Sequence, residues 1–153
     1  MEQQDYEALS EFRYQLRRFL HFSETVVHRH GLTPLQYQLM LHIRGSSGRG
    51  WATVGELAER LQIQAHGAAA LVQRCEACGW VERRASSRDR RQVEVHLAAA
   101  GTELLEHLAL LHATELRSLR HIFHVGRITS FNDEEVQASL LALDASLPPT
   151  ASS

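Results

Sequence analysis

The sequence predicts a mainly α-helical fold with one small β-hairpin, arranged as a winged helix-turn-helix flanked by terminal dimerisation helices. Three observations carry this expectation. Thr53-Val54-Gly55-Glu56 is a capping box that opens a short helix, and a second helix from about Ala65 to Cys78 follows after only Gln62-Ile63-Gln64. That second helix leads straight into WVERRASSRDRRQVEVHLAAAG, residues Trp80 to Gly101, which reads as a hairpin. Long helices with apolar stripes stand on both sides of this unit. Two short helices followed at once by a hairpin is the element order of a winged helix-turn-helix.

Composition narrows the function classes. A chain of 153 residues predicts one domain, residues 1–153. No apolar run approaches 18 residues, so no membrane span is expected. The opening MEQQDYEALSEFRYQ is acidic and has no apolar core, so no secretory signal is expected and the predicted location is cytoplasmic. The net charge of −2 argues against general adhesion to nucleic acid, but docking needs only a local basic patch. All 16 cationic residues are arginine, the side chain suited to bidentate phosphate and base contacts.

Residues from about Asp5 to His30 read as a long helix. Leu9, Phe12, Leu16, Phe19, Leu20, Ser23, Val26 and Val27 form its stripe, Phe22 lies off it, and Gly31 stops it. Thr33-Pro34-Leu35-Gln36 starts the next helix, with Thr33 as N-cap, Pro34 where its missing N–H is harmless and Gln36 closing a capping box. That helix runs to about Arg44. It shows one face of Leu35, Leu39, His42 and Ile43 and a second of Tyr37, Met40 and Leu41, which predicts burial on two sides. GSSGRG, Gly45 to Gly50, breaks the chain. The helix opened by Thr53 turns Val54, Leu57, Ala58 and Leu61 inward, and Gly79 ends the one after it as a C′ residue.

In the hairpin, Trp80 to Ala85 forms one strand and Gln92 to Leu97 the other. Period-two alternation puts Val93, Val95 and Leu97 on one face and Glu94 and His96 on the opposite face. Between the strands lies SSRDRR. Arg83, Arg84, Arg88, Arg90 and Arg91 crowd this segment against Glu82 and Asp89, which suits contact with a phosphate backbone or a narrow minor groove. A solvated charged loop is the competing reading. A long helix from Ala98 to about Phe123 follows, lined by Leu104, Leu108, Leu111 and Leu119 and extended by Leu105, Leu116 and Phe123. Asn132 caps a last helix with Val136, Leu140, Leu143 and Leu147 inward. Pro148-Pro149 ends it, leaving 148–153 as a disordered tail.

TVGELAERL, the helix ending in CEACGWVERR, and SRDRRQVEVHLAAAGTELL together resemble the MarR family of transcription regulators. Asp89-Arg90-Arg91 followed by Val93, Val95, Leu97 and Gly101 resembles the family's wing and the start of its next helix. FRYQLRRFLHFSE resembles the first helix of one subgroup. The resemblance implies a homodimer with a DNA-binding lobe at 33–98 and a dimerisation lobe from 1–30 and 99–147. It also implies a pseudo-palindromic double-stranded DNA operator, and a repressor released by a small effector, aromatic or phenolic. Two recognition helices would then sit roughly 34 Å apart. In the family the wing arginine enters the minor groove and the aspartate two residues before it holds the wing, roles that map onto Arg91 and Asp89.

The chain departs from the family in its recognition helix. His66, Gly67, Ala69 and Ala70 stand where Ser and Thr are common. Gln64, His66, Gln73 and Arg74 remain to read bases, with Arg84, Arg88, Asp89, Arg90 and Arg91 on the wing. Tyr37, Met40 and Leu41 are the candidates to line an effector pocket, and plain core packing is their alternative.

Cys75 and Cys78 form a CxxC, which opens a redox or metal reading. Helical residues three apart hold their Cβ atoms about 5–6 Å apart, too far for an undistorted disulfide, and Cys75 falls at a core position. Ten histidines include the close pairs His28 with His30, His121 with His124, and His107 with His112. No acid or cysteine completes a set, so neither a metal site nor a cofactor is predicted. A redox- or metal-responsive regulator of the same fold stays open. No glycine-rich phosphate loop, GxSxG or HExxH is present, so the chain is not read as an enzyme. A winged helix that binds only protein is the remaining alternative, although such a module has no need of the wing arginines.

Overall fold

Two threonines set the starts of the two helices at the centre of the fold. The computed structural model describes residues 2–119. Helix α1, Gln3–Arg29, ends at Gly31, whose φ of 77° is left-handed. Thr33 then caps α2, Pro34–Arg44, through the expected box: the Gln36 amide donates to Thr33 Oγ1 and the Thr33 amide to Gln36 Oε1. Thr53 does the same for α3, Val54–Leu61, with Glu56 as its partner. Helix α4, Ala65–Ala77, ends with Gly79 at φ 75°. There the Gly79 amide donates to the Glu76 carbonyl and the Trp80 amide to the Cys75 carbonyl, a Schellman closure.

Helix α4 feeds the hairpin of β2, Val81–Ala85, and β3, Val93–Leu97, after which α5 runs over Ala99–Leu119. One element escaped the sequence pattern. Trp51–Thr53 forms a strand, β1, that pairs antiparallel with β3 (Trp51 opposite His96, Thr53 opposite Glu94). The sheet order is β1-β3-β2, so β3 is central. Three residues are too few for alternation to register, and they sit directly behind the Gly/Ser loop.

The chain divides into two compact units. One is residues 19–117; the other includes the described residues 2–18 and 118–119. The core of the first unit holds Leu39, Met40 and Ile43 of α2, Leu57 of α3, Leu71, Val72 and Cys75 of α4, and Val81 and Val95 of the sheet. It also takes in Val26 and Val27 of α1 and Leu105 and Leu108 of α5. Full burial of each such aliphatic side chain contributes about 1.5–3 kcal/mol.

Several expected faces need correction. In α1, Leu20 is 47% exposed, while Phe22, off the expected stripe, packs on the core. Leu35 and Leu41 of α2 are exposed, and Tyr37 and Met40 fill the buried face beside Leu39 and Ile43. Leu111 of α5 is exposed. At 3.6 residues per turn, Leu35 and Leu41 fall on either side of the single face that Tyr37, Leu39, Met40 and Ile43 bury, so the short α2 buries one face and not two. In β3, Val93 is exposed because it lies at the wing end of the strand, past the core. Glu94 is buried, because β1 flanks β3 on the side opposite β2. Phe123, the helix begun by Asn132 and the 148–153 tail lie outside the described residues.

The Thr53 box carries a pH test. Glu56 accepts from the Thr53 amide at 2.8 Å and pairs with Arg49 at 2.6 Å, and Arg49 lies over the Trp51 ring at 4.3 Å. The Arg49 hydrogen bond, then the Thr53 amide, hold the Glu56 carboxyl below its usual range. A depressed folded pKa stabilises above the unfolded value, and the contribution is lost as pH falls through the carboxylate range. Glu56→Gln keeps an acceptor for Thr53 but loses the ion pair. It should flatten this acid dependence while costing about 0.5 kcal/mol at neutral pH, since the pair is half exposed. Thr53→Ala should cost about 1 kcal/mol. Denaturant melts from pH 3 to 7 read both, and superimposable wild-type and Glu56→Gln profiles would refute the assignment.

Candidate nucleic-acid interface

Helix α4 turns one face to the core and the other to solvent. Ala68, Leu71, Val72 and Cys75 are buried; Ala65, His66, Ala69, Ala70, Gln73 and Arg74 are exposed. Gln64 is the extended N-cap residue and makes no side-chain cap bond, so its amide group is available at the helix N-terminus. All four sequence-predicted readers, Gln64, His66, Gln73 and Arg74, thus stand on the open face. Gln64 and His66 lie at its N-terminal end and Gln73 and Arg74 two turns on. Alanines floor the space between them, a surface low enough for close approach and able to contact a thymine methyl. The turn before α4 is fixed by Gln62, at φ 53°, whose side-chain amide donates to the Glu59 carbonyl at 2.7 Å.

The wing is pinned from its base. Ser86 is buried, and its Oγ accepts from the Arg88 and Asp89 amides. Asp89 Oδ1 accepts from the Arg91 amide at 2.9 Å, and its carbonyl accepts from the Gln92 amide at 3.0 Å. Asp89 therefore folds the tip with its own carboxylate, as an Asx turn does. Below it, Glu94 binds His96 at 2.8 Å. The His96 hydrogen bond first, and also that of Ser86, hold the Glu94 carboxyl below its usual range. Neither Ser86 nor Glu94 stood out in the sequence as part of the wing's support. Each looks like an ordinary polar residue there, and only the pairing of β1 with β3 encloses Glu94.

The five wing arginines divide into two groups. Arg83 pairs with Glu76 of α4 at 2.7 Å, and its backbone amide also donates to that carboxylate. This contact ties β2 to α4 and so sets the wing against the helix. Arg84 pairs with Glu82. Among the described residues, Arg88, Arg90 and Arg91 form no ion pair, and all three are exposed at the tip.

Tyr37 is buried and stacks on His112 at 4.5 Å, and Met40 is fully enclosed, whereas Leu41 is 39% exposed. They stand at i, i+3 and i+4 on α2, so they share a helix face whose Tyr37 and Met40 part is enclosed and whose Leu41 edge is open. A cleft of about 400 Å³ lies elsewhere in the lobe, lined by residues including His42, Ser46, Arg49, Glu56 and Arg60. His112 is a satisfied interior histidine: its Nδ1 donates to the Leu108 carbonyl at 2.7 Å and its Nε2 lies 2.7 Å from Ser23 Oγ. His121 and His124 lie outside the described residues.

Both cysteines are free, Cys75 buried and Cys78 exposed. Burial pushes the Cys75 thiol up to about 11, so at neutral pH it is not a nucleophile. An excess of thiol reagent at pH 7 should label one cysteine per folded wild-type chain and none in Cys78→Ser. Rapid labelling of folded Cys78→Ser would show that Cys75 is reachable and would reopen the redox reading.

Residues 30–92 match the model of the MarR family. No curated protein sequence matches the chain. Among solved structures, AbsC, a MarR family transcriptional regulator from Streptomyces coelicolor, superposes with a TM-score of 0.64 at 21% identity, covering 95% of this chain and 93% of its own. MepR, a transcription regulator of a Staphylococcus aureus multidrug efflux pump, gives 0.63 at 16%, covering 90% and 96%. A mutant MarR from E. coli, complexed with operator DNA, gives 0.59 at 20%, covering 89% and 90%. The winged helix read from the sequence is thus the fold these regulators share. Among the described residues, no helix is long and apolar enough to cross a membrane.

Proposed function

We propose that the chain is a MarR-family transcriptional regulator that binds a pseudo-palindromic double-stranded DNA operator as a homodimer. It acts without enzymatic chemistry, as a repressor released by a small ligand. One observation supports the reading above the others. The open face of α4 and a pinned wing tip carrying Arg88, Arg90 and Arg91 belong to one unit, joined through the Arg83–Glu76 pair. That combination suits an insertion of α4 into the major groove with the wing beside it. A mutant MarR from E. coli with the same fold was solved complexed with operator DNA, which supports DNA as the partner.

On this reading the wing docks and α4 reads. Gln64, His66, Gln73 and Arg74 offer few base contacts, each good bidentate one giving about 1–3 kcal/mol of discrimination. The ratio of specific to random affinity is then modest, with DNA shape and half-site spacing carrying much of it. Selection from a random duplex pool should return a two-fold symmetric sequence with half-sites about one DNA turn apart. Gln64→Ala should weaken binding to that sequence by roughly 5- to 100-fold and leave random DNA unchanged. A pool that yields no enriched sequence, together with a chain that sediments as a monomer at micromolar concentration, would favour the protein-only module.

A further inference from the structure

The sequence pairs His28 with His30 and His107 with His112, but the fold pairs His30 with His107. His30 lies just past the end of α1 and His107 lies on α5, and their ring centroids are 5.2 Å apart at an interplanar angle of 58°. Both residues are exposed. His30 Nδ1 sits 2.8 Å from the Val26 carbonyl, which can only accept, so this nitrogen carries the proton. In the neutral ring Nε2 then keeps its lone pair. A backbone carbonyl holding the far nitrogen is the usual arrangement behind a metal-bound imidazole, fixing both tautomer and ring orientation.

The spacing fits as well. A zinc–nitrogen bond is about 2.0–2.1 Å, and the ring centroid lies roughly 1.1 Å beyond the nitrogen, so two imidazoles on one tetrahedral ion have centroids about 5.2 Å apart. The tilted rings are not a stack of the kind Tyr37 and His112 make at 14°. Two exposed, titratable rings have no packing reason to sit side by side, whereas a shared ion supplies one.

We propose that His30 and His107 form a binding site for a divalent transition-metal ion that prefers imidazole, such as zinc or nickel. Among the described residues no third ligand completes a closed cage, so solvent occupies the remaining positions and the ion exchanges readily. An occupied site ties the end of α1 to α5. The proposal does not rest on the DNA-binding reading, and its test uses no DNA, so either can fail alone.

The test uses the tag-free full-length chain in a Cys78→Ser background, which removes the exposed thiol as a ligand. Zinc affinity is read by competition with a chromogenic chelator, and geometry by the visible spectrum of bound cobalt. We expect one zinc per chain and visible bands of imidazole-bound cobalt in the parent that both histidine variants lose. His30→Gln and His107→Gln should each weaken zinc at least tenfold, the pair together no more than either alone, and His28→Gln should change nothing. Zinc should also raise the melting temperature of the parent and not of either variant. Equal zinc affinity in the parent, His30→Gln and His107→Gln would overturn the proposal, as would a loss in His28→Gln as large as theirs.

Discussion

Gly101→Ala is expected to destabilise the protein by about 3 kcal/mol or more, against local helix propensity. In an open helix the same change stabilises by roughly 0.5–1 kcal/mol. At Gly101, however, a Cβ would lie 2.0 Å from the Trp80 carbonyl oxygen and 2.8 Å from its carbon. The Trp80 backbone cannot yield, because its amide donates to Cys75 at the end of α4 and its carbonyl accepts from Ala98 at the start of α5. Relief must displace α5 or the base of the wing. Gly67→Ala is the control: nothing lies within 4 Å of that Cβ, so it should stabilise by roughly 0.5 kcal/mol. Urea unfolding of both variants reads the difference. A Gly101→Ala chain within about 1 kcal/mol of wild type would contradict the close approach.

Replacing Arg88, Arg90 and Arg91 together by alanine is expected to lower affinity for any duplex by roughly 100-fold at low salt. These three are the wing guanidiniums that form no ion pair among the described residues, although Arg88 also acts at longer range on the Glu94 carboxylate, so their charge is available to phosphate. Arg83 and Arg84 are offset by Glu76 and Glu82. Arg84→Ala should therefore cost much less than Arg91→Ala. The Asp89 carboxylate acts on the Arg91 amide, so Asp89→Ala should weaken binding by loosening the tip although it removes a negative charge. A rise in affinity in Asp89→Ala, as simple charge counting expects, would show that the tip needs no such brace.

The fold was legible where local chemistry is decisive. Thr33 with Gln36, Thr53 with Glu56, and Gly79 each announce a helix end, and each cap forms as the residues dictate. The interior place of Cys75 was legible too, whereas the exposed readers of α4 were named through the family resemblance. What was not legible depends on tertiary enclosure. Strand β1 is too short to show a pattern, and without it Glu94 reads as a solvent-facing residue and not as the buried brace beneath Ser86. The sorting of the wing arginines needed the partner carboxylates, one of which, Glu76, lies on another element. The meeting of His30 with His107 joins a residue just past α1 to one on α5, far apart in the chain, which no sequence spacing encodes.

The central claim is that a pinned, cationic wing docks this protein on duplex DNA while α4 does the reading. A salt titration on random-sequence duplex tests it most directly, comparing wild type with the Arg88/Arg90/Arg91 alanine variant. The slope of log affinity against log salt reports the counterions released, close to about 0.9 per phosphate neutralised on duplex DNA. The account predicts a steep wild-type slope that the variant flattens by at least about two units, with Arg91→Ala alone removing about one. Equal slopes and equal affinities for the two proteins would contradict it and would leave the winged helix as a surface for protein partners.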